Sequence, residues 1–240
     1  MSTSEQKNAI LSTVNRIREQ IEAACLRSGR EASACRLVAV SKTVEADQIA
    51  LAIAAGLTDF AENRTRAFSE RAAQFREVNW HFIGRIQTNK IKDFVGTAAL
   101  VHSVASDRAL LAIDKRAASL GIIQPVLIEV NTSLEESKDG VSVDELPGLL
   151  DLASGLQSVV VGGLMTIAPI ADDETVRSAF RQLRETRDIM QERLISSPNI
   201  QLKELSMGMS DDYIIAVEEG ATIVRIGRSV WQNNDIADTN

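Results

Sequence analysis

The sequence predicts an α/β fold: a single (β/α)8 barrel of the TIM type, with one extra helix at its N-terminus. Three observations predict it. Strand-like apolar runs alternate with amphipathic segments along the whole chain, and eight such runs fit in 240 residues. Most of the runs are apolar on both faces, as a parallel sheet covered by helices requires. The connections are short, as βα units prefer. No linker or low-complexity stretch divides the chain. Residues 1–240 therefore read as one domain, with 1–30 as the added helical segment and 230–240 as a flexible tail. An open doubly wound sheet is the runner-up. No GxGxxG follows the first strand, and that weakens it.

The elements follow in order. Residues from about Ser4 to Arg27 form an amphipathic helix that stops near Gly29. RLVAVSK is the first strand, and a helix runs from about Val44 to Ala55. LTDFAEN is the second strand, followed by a helix from about Arg64 to Phe75. WHFIG is the third, followed by a short helix, QTNKIKDF. LVHSV is the fourth, and its helix is framed by a Ser106 cap and a Gly121 stop. PVLIEVN is the fifth; a polar loop, TSLEESKDG, leads from it to the helix SVDELPGLLDLASG. VVVGGLMTI is the sixth, with a long helix from about Asp173 to Ile195. LKELSMG, the helix SDDYIIAVEEG and the strand ATIVRIG complete the series.

Composition excludes several function classes. The chain is 45% hydrophobic and 25% charged, as globular proteins are, and its net charge is −7. That charge argues against a nucleic-acid or anionic-membrane surface. No apolar run is long enough to span a bilayer. The polar N-terminus has no signal core, so a cytoplasmic location is expected. The two cysteines, Cys25 and Cys35, lack metal-site spacing and read as idle thiols rather than a disulfide.

In a barrel of this type the chemistry sits at the C-terminal ends of the strands. The first strand ends in Ser41-Lys42 and the second in Glu62-Asn63. The seventh ends in Ser206-Met207-Gly208-Met209-Ser210, and the eighth in Arg225-Ile226-Gly227-Arg228. Two readings stand for Lys42: a strand's exit into water, or an amine at the mouth of a pocket. The small, N–H-rich ends of strands seven and eight suit a phosphate. Closure of the barrel makes strand eight the neighbour of strand one, which sets Lys42 roughly 5 Å from Arg225. Arg225, flanked by Ile223, Val224 and Ile226, needs a partner if buried. Either a carboxylate such as Glu129 or a ligand would serve. A compact ligand with a phosphate at one end and an aldehyde at the other bridges Lys42 and the phosphate loops; pyridoxal 5′-phosphate has that shape.

At these residues the sequence resembles the pyridoxal phosphate homeostasis protein family (the YggS/PLPBP group). The matching pieces are LVAVSKT, AEN, WHFIGRIQTNK, VLIEVNTSLEESKDGV, GLMTIAP, LSMGMSDD and TIVRIG, and they span residues 37–227. The resemblance implies a barrel similar to the N-terminal domain of alanine racemase. It implies that Lys42 forms the Schiff base (an internal aldimine) and that Arg225 stands beside the pyridine nitrogen. It puts Ser206 and the Gly227-Arg228 backbone around the phosphate, with Asn63 near the ring. The chain departs from the family pattern at Ala61, Arg64, Arg228 and the closing VWQNND.

The expected function is to hold pyridoxal 5′-phosphate for intracellular homeostasis, with little or no catalysis. An arginine beside the pyridine nitrogen stays a donor, which leaves the ring a weak electron sink. The expected partners are the cofactor and pyridoxal-phosphate-dependent apo-enzymes, with no nucleic acid and no membrane, and a monomeric state is expected. The alternatives are a pyridoxal-phosphate enzyme such as an amino-acid racemase, or a phospho-ligand barrel without that cofactor. Tyr213, the only tyrosine, is expected to pack in its helix. His81 and His102 are expected to be structural, with His81 the better site candidate. The loop bearing Glu135, Glu136, Lys138, Asp139 and Gly140 suits a lid, and Lys138 is a candidate second amine for release of the cofactor.

Overall fold

The computed structural model describes residues 3–133, 139–194 and 196–231. Glu135, Glu136 and Lys138 of the expected lid, and the tail 232–240, lie outside the described residues.

Eight parallel strands close into a barrel in sequence order. They are β1 Arg36–Val40, β2 Asp59–Glu62, β3 Asn79–Phe82, β4 Leu100–Val104, β5 Gln124–Glu129, β6 Val159–Met165, β7 Ile200–Ser206 and β8 Ile223–Ile226. The helices are α1 Thr3–Arg27, α2 Ala46–Ala54, α3 Thr65–Gln74, α4 Asp107–Leu120, α5 Leu146–Ser154, α6 Asp173–Arg193, α7 Tyr213–Glu218 and α8 Arg228–Trp231. A 3-10 turn, Thr88–Asp93, takes the place of the helix expected after β3.

Strand periodicity separates two apolar layers. Leu37, Phe60, Trp80, Phe82, Val126 and Val224 face the helices and form the main core. Val38, Val40, Ala61, Leu100, Leu127, Met165 and Ile223 form a small cluster inside the barrel. Burial on both faces is what the strands' continuous apolar runs require. The same alternation sends Asp59, His81, His102, Glu129, Ser206 and Arg225 inward as a polar layer, and all six are buried.

Local chemistry sets the element ends. Ser106 Oγ accepts from Ala109 N at 3.2 Å, and Gly121 closes α4 in the left-handed conformation, as the sequence predicts. Helix α5 starts at Leu146 rather than Ser142, since Pro147 lacks an N–H and fits only the first turn. Helix α1 packs along α2, α7 and α8 in the outer ring. Among the described residues no helix is long and apolar enough to cross a membrane, and no cluster of His, Cys, Asp and Glu could hold a metal ion.

Candidate functional site

Strand β1 stops at Val40, and residues 41–44 turn, with Val44 N donating to Ser41 O at 3.0 Å. Lys42 is exposed in this turn, two residues beyond the inward-facing Val40. Arg71 of α3 holds the turn. Its Nη1 donates to Ser41 O at 2.5 Å and Ser41 Oγ at 3.0 Å, and its Nη2 to Val44 O at 2.6 Å. The same guanidinium pairs with the buried Glu62 carboxylate at the end of β2. Glu62 in turn accepts from Asn63 N at 2.8 Å and Arg64 N at 3.1 Å. One buried ion pair thus fixes the backbone on both sides, at Lys42 and at Asn63. Gly84 permits the approach of the next loop, because a Cβ there would fall 1.9 Å from Asn63 O. Asn63 itself is exposed at the mouth.

Arg225 lies deeper. Its register partner on β1 is Val38, not Lys42. The expectation that Lys42 and Arg225 lie about 5 Å apart is therefore corrected. The strands are neighbours, but Lys42 is four residues further along, roughly 13 Å at the strand rise. Lys42 is thus at the rim and Arg225 below it in the lumen. The guanidinium donates from Nη1 to Ser206 Oγ at 2.8 Å and from Nη2 to Thr166 O at 3.0 Å. Burial lowers Arg225 to about 10, while Glu129 and Asp212 act the other way, so it remains a cation at neutral pH. Among the described residues no carboxylate forms a salt bridge with it. Glu129, the expected partner, acts only at longer range. Burial and the neighbouring Asp139 raise Glu129 to about 7 against the pull of Arg225.

The loops after β7 and β8 adjoin. Gly208 has φ 95°, and a Cβ there would lie 2.6 Å from Ala216 Cβ, so glycine is required. Ser229 N approaches Ser210 Oγ at 3.4 Å, and the exposed Arg228 pairs with Asp211. Arg228 thus directs its guanidinium to a carboxylate of the adjoining loop. Gly227 is different from Gly208. A Cβ at Gly227 would meet only Val40, at 3.6 Å and beyond, in ordinary contact. The protein's own packing does not demand a glycine there. Trp231 Nε1 donates to Val40 O at 2.7 Å, so α8 also caps the strand that leads to Lys42.

Sequence reasoning missed the role of the histidines. His102, not His81, is the ring that reaches the site, with Nδ1 2.8 Å from Ser206 Oγ. Strand alternation gives both rings an inward place, His102 on the face of Leu100, but does not say which of them meets Ser206. Tyr213 is buried, and its hydroxyl donates to Gln20 Oε1 of α1 at 2.5 Å. At the base of the expected lid, Val130 bridges to Val141, and Asp139 lies 3.5 Å from Arg85.

Comparison with known proteins gives the same fold. The alanine racemase N-terminal domain family matches residues 13–234. The pyridoxal phosphate homeostasis protein of Aquifex aeolicus is 45% identical over 219 residues, 89% of this chain and 93% of that protein. A crystal structure of a Bifidobacterium adolescentis protein of unknown function superposes with a TM-score of 0.88 at 33% identity, covering 96% of this chain and 97% of that one. PipY of Synechococcus elongatus PCC7942, in a structure with PLP bound, superposes with a TM-score of 0.76 at 32% identity. That match covers 89% of this chain and 99% of PipY. The chain belongs to the pyridoxal phosphate homeostasis protein family.

Proposed function

We propose that this family member binds pyridoxal 5′-phosphate at the C-terminal mouth of its barrel and holds it for supply to other proteins, with little or no catalysis of its own. The observation that carries the reading is Arg225: a buried cation in the lumen, below a rim lysine, with no carboxylate partner of its own among the described residues. Such a group calls for an acceptor, and a pyridine nitrogen is one. When bound, the cofactor supplies an aldehyde that condenses with a lysine amine to a Schiff base.

The chain's own residues then have separate tasks. Lys42 supplies the amine, on a turn fixed by Arg71. Arg225 donates toward the ring nitrogen. Asn63 borders the ring. Ser206 and the Gly227-Arg228 backbone border the phosphate end. Because a guanidinium holds its protons, it does not deliver one to the ring, and electron withdrawal stays weak. Tyr213, the only tyrosine, is committed to Gln20, which supports a carrier over a racemase with a tyrosine base at the mouth. A monomer that hands its cofactor to apo-enzymes completes the proposal.

The test is absorbance after mixing with pyridoxal 5′-phosphate, followed by borohydride reduction and mass spectrometry of the digest. A visible band that reduction abolishes and a pyridoxyl group on Lys42 are expected. A modified peptide containing another lysine would overturn the assignment. Steady racemisation of an amino acid by the loaded protein would overturn the carrier role.

A further inference from the structure

A continuous line of hydrogen bonds crosses the barrel interior below the site. Arg225 Nη1 lies 2.8 Å from Ser206 Oγ, Ser206 Oγ 2.8 Å from His102 Nδ1, His102 Nε2 2.9 Å from His81 Nδ1, and His81 Nε2 3.1 Å from Asp59 Oδ1. The line joins five strands, β8, β7, β4, β3 and β2. Its far end opens on a cavity of about 370 Å³ lined by Asp59, His81, Arg36 and Glu204, at the N-terminal side of the barrel. We propose that Asp59, His81 and His102 are positioning residues that polarise this line in one direction, away from the mouth, and so fix Ser206 Oγ as the acceptor that holds Arg225.

The direction follows from donor chemistry. A guanidinium only donates, so Ser206 Oγ accepts from Arg225. The hydroxyl has one hydrogen left, and His102 Nδ1 is in reach to accept it. Burial above all, with the Arg225 cation adding to it, holds His102 well below the usual histidine range, so the ring is neutral. Its proton is therefore on Nε2 and donates to His81 Nδ1. That leaves His81 its proton on Nε2, directed at Asp59. Burial raises Asp59, but hydrogen bonds from His81 and Thr58 outweigh it and keep the carboxylate ionised. Thr58 Oγ1 at 2.8 Å and Asn79 Nδ2 at 3.3 Å also donate to it. Each link then has one donor and one acceptor, from a cation at one end to an anion at the other. Aligned bonds of this kind strengthen one another in a low-dielectric interior.

The consequence for the site is orientation. Ser206 keeps its hydrogen pointed at His102, so its hydroxyl holds Arg225 in place and leaves donation to the phosphate end to the Gly227-Arg228 backbone. The opposite polarity requires one more proton. His81 would be cationic and donate to His102, and Ser206 would accept twice. Two buried cations would then share one carboxylate.

The proposal rests on the reading of Arg225 as the cofactor's ring partner, but its first test does not. The chain has only two histidines, so the ring nitrogens of the cofactor-free protein can be assigned by ¹⁵N NMR with His81→Gln and His102→Asn variants. Both rings should be neutral with the proton on Nε2, the nitrogen that correlates with both ring C–H protons. Asp59→Asn, which keeps a carbonyl acceptor, should preserve both tautomers. Asp59→Leu should let the proton redistribute in both rings, including His102, which Asp59 does not touch. A cationic ring, an Nδ1 proton in either ring, or a His102 indifferent to Asp59→Leu would overturn the proposal. The second readout is uptake of pyridoxal 5′-phosphate by His102→Leu, expected about fivefold weaker from loss of the neutral acceptor that orients the Ser206 hydroxyl, with a shifted absorption band. Unchanged uptake with an unchanged band would make the line purely structural and overturn its positioning role. A wild-type protein that takes up no cofactor would sink the functional reading alone, with the tautomers still deciding the direction of the line.

Discussion

Arg71 and Ser41 are thirty residues apart in sequence, yet Arg71 Nη1 donates to Ser41 O at 2.5 Å and so ties α3 to the turn that presents Lys42. The bond belongs to a half-buried guanidinium. The same guanidinium reaches Val44 O and the fully buried Glu62. Lys42 is therefore an exposed side chain on a turn held by side-chain hydrogen bonds, an arrangement that suits the amine proposed to meet an aldehyde carbon.

Arg71→Leu leaves Glu62 charged and buried without its cation. Loss of one member of such a pair costs about 3–5 kcal/mol. The chemical-denaturation midpoint should fall accordingly. Arg71→Lys, which keeps the charge but not the planar fork, should fall by less and still loosen the 41–44 turn. Hydrogen exchange at the Val44 amide reads that loosening; protection equal to wild type in both variants would remove Arg71 from the positioning of Lys42.

Lys42→Ala should abolish covalent retention of pyridoxal 5′-phosphate. The side chain is exposed and makes no described packing contact in the core, so stability should stay within about 0.5 kcal/mol of wild type. Gel filtration after borohydride treatment, read at the pyridoxyl absorbance, decides it. Retained label in the variant would move the amine elsewhere in the chain.

The fold was legible because the signals that specify it are local. Eight double-faced apolar runs, the Ser106 cap and the Gly121 stop all come from neighbouring residues. What the sequence left open was depth. Lys42 and Arg225 are on adjacent strands, but the pairing of Val38 with Arg225 sets their separation along the barrel, and register is a property of two strands together. The histidine line was hidden for the same reason: its members come from β2, β3, β4, β7 and β8, and no spacing in the sequence relates His102 to Ser206. The buried partner of Arg71 was equally silent, since AEN and the arginine of SERAAQ carry no pattern that joins them.

Trp231 is a further test of how the rim is built. Its indole N–H satisfies Val40 O, the last carbonyl of β1, from a helix of four residues. Trp231→Phe keeps most of the ring and removes the donor. A loss of about 1 kcal/mol is expected. Binding of pyridoxal 5′-phosphate should weaken with it, because the bond braces the strand end below Lys42. Thermal melting and a cofactor titration measure the two effects; a variant indistinguishable from wild type in both would leave α8 as a simple cover.

Glu129 makes the apo-protein sensitive to pH. Burial and the neighbouring Asp139 raise its carboxyl from the ordinary 4.5 to about 7 in the folded chain, and Arg225 offsets only part of that. Between those two values the folded state binds more protons than the unfolded state, so the contribution of this group to stability falls as pH rises. It is fully present below about 4.5 and lost by the time pH passes about 7, a difference on the order of 3 kcal/mol at most. Other groups titrate in the same range, so the informative quantity is the difference between wild type and Glu129→Gln. The two should be equally stable near pH 4.5, and the glutamine variant should gain progressively up to pH 8. Denaturation curves at a series of pH values measure it. Parallel stability profiles for the two proteins would show that Glu129 is already ionised in the folded state, as a nearer approach of Arg225 would require.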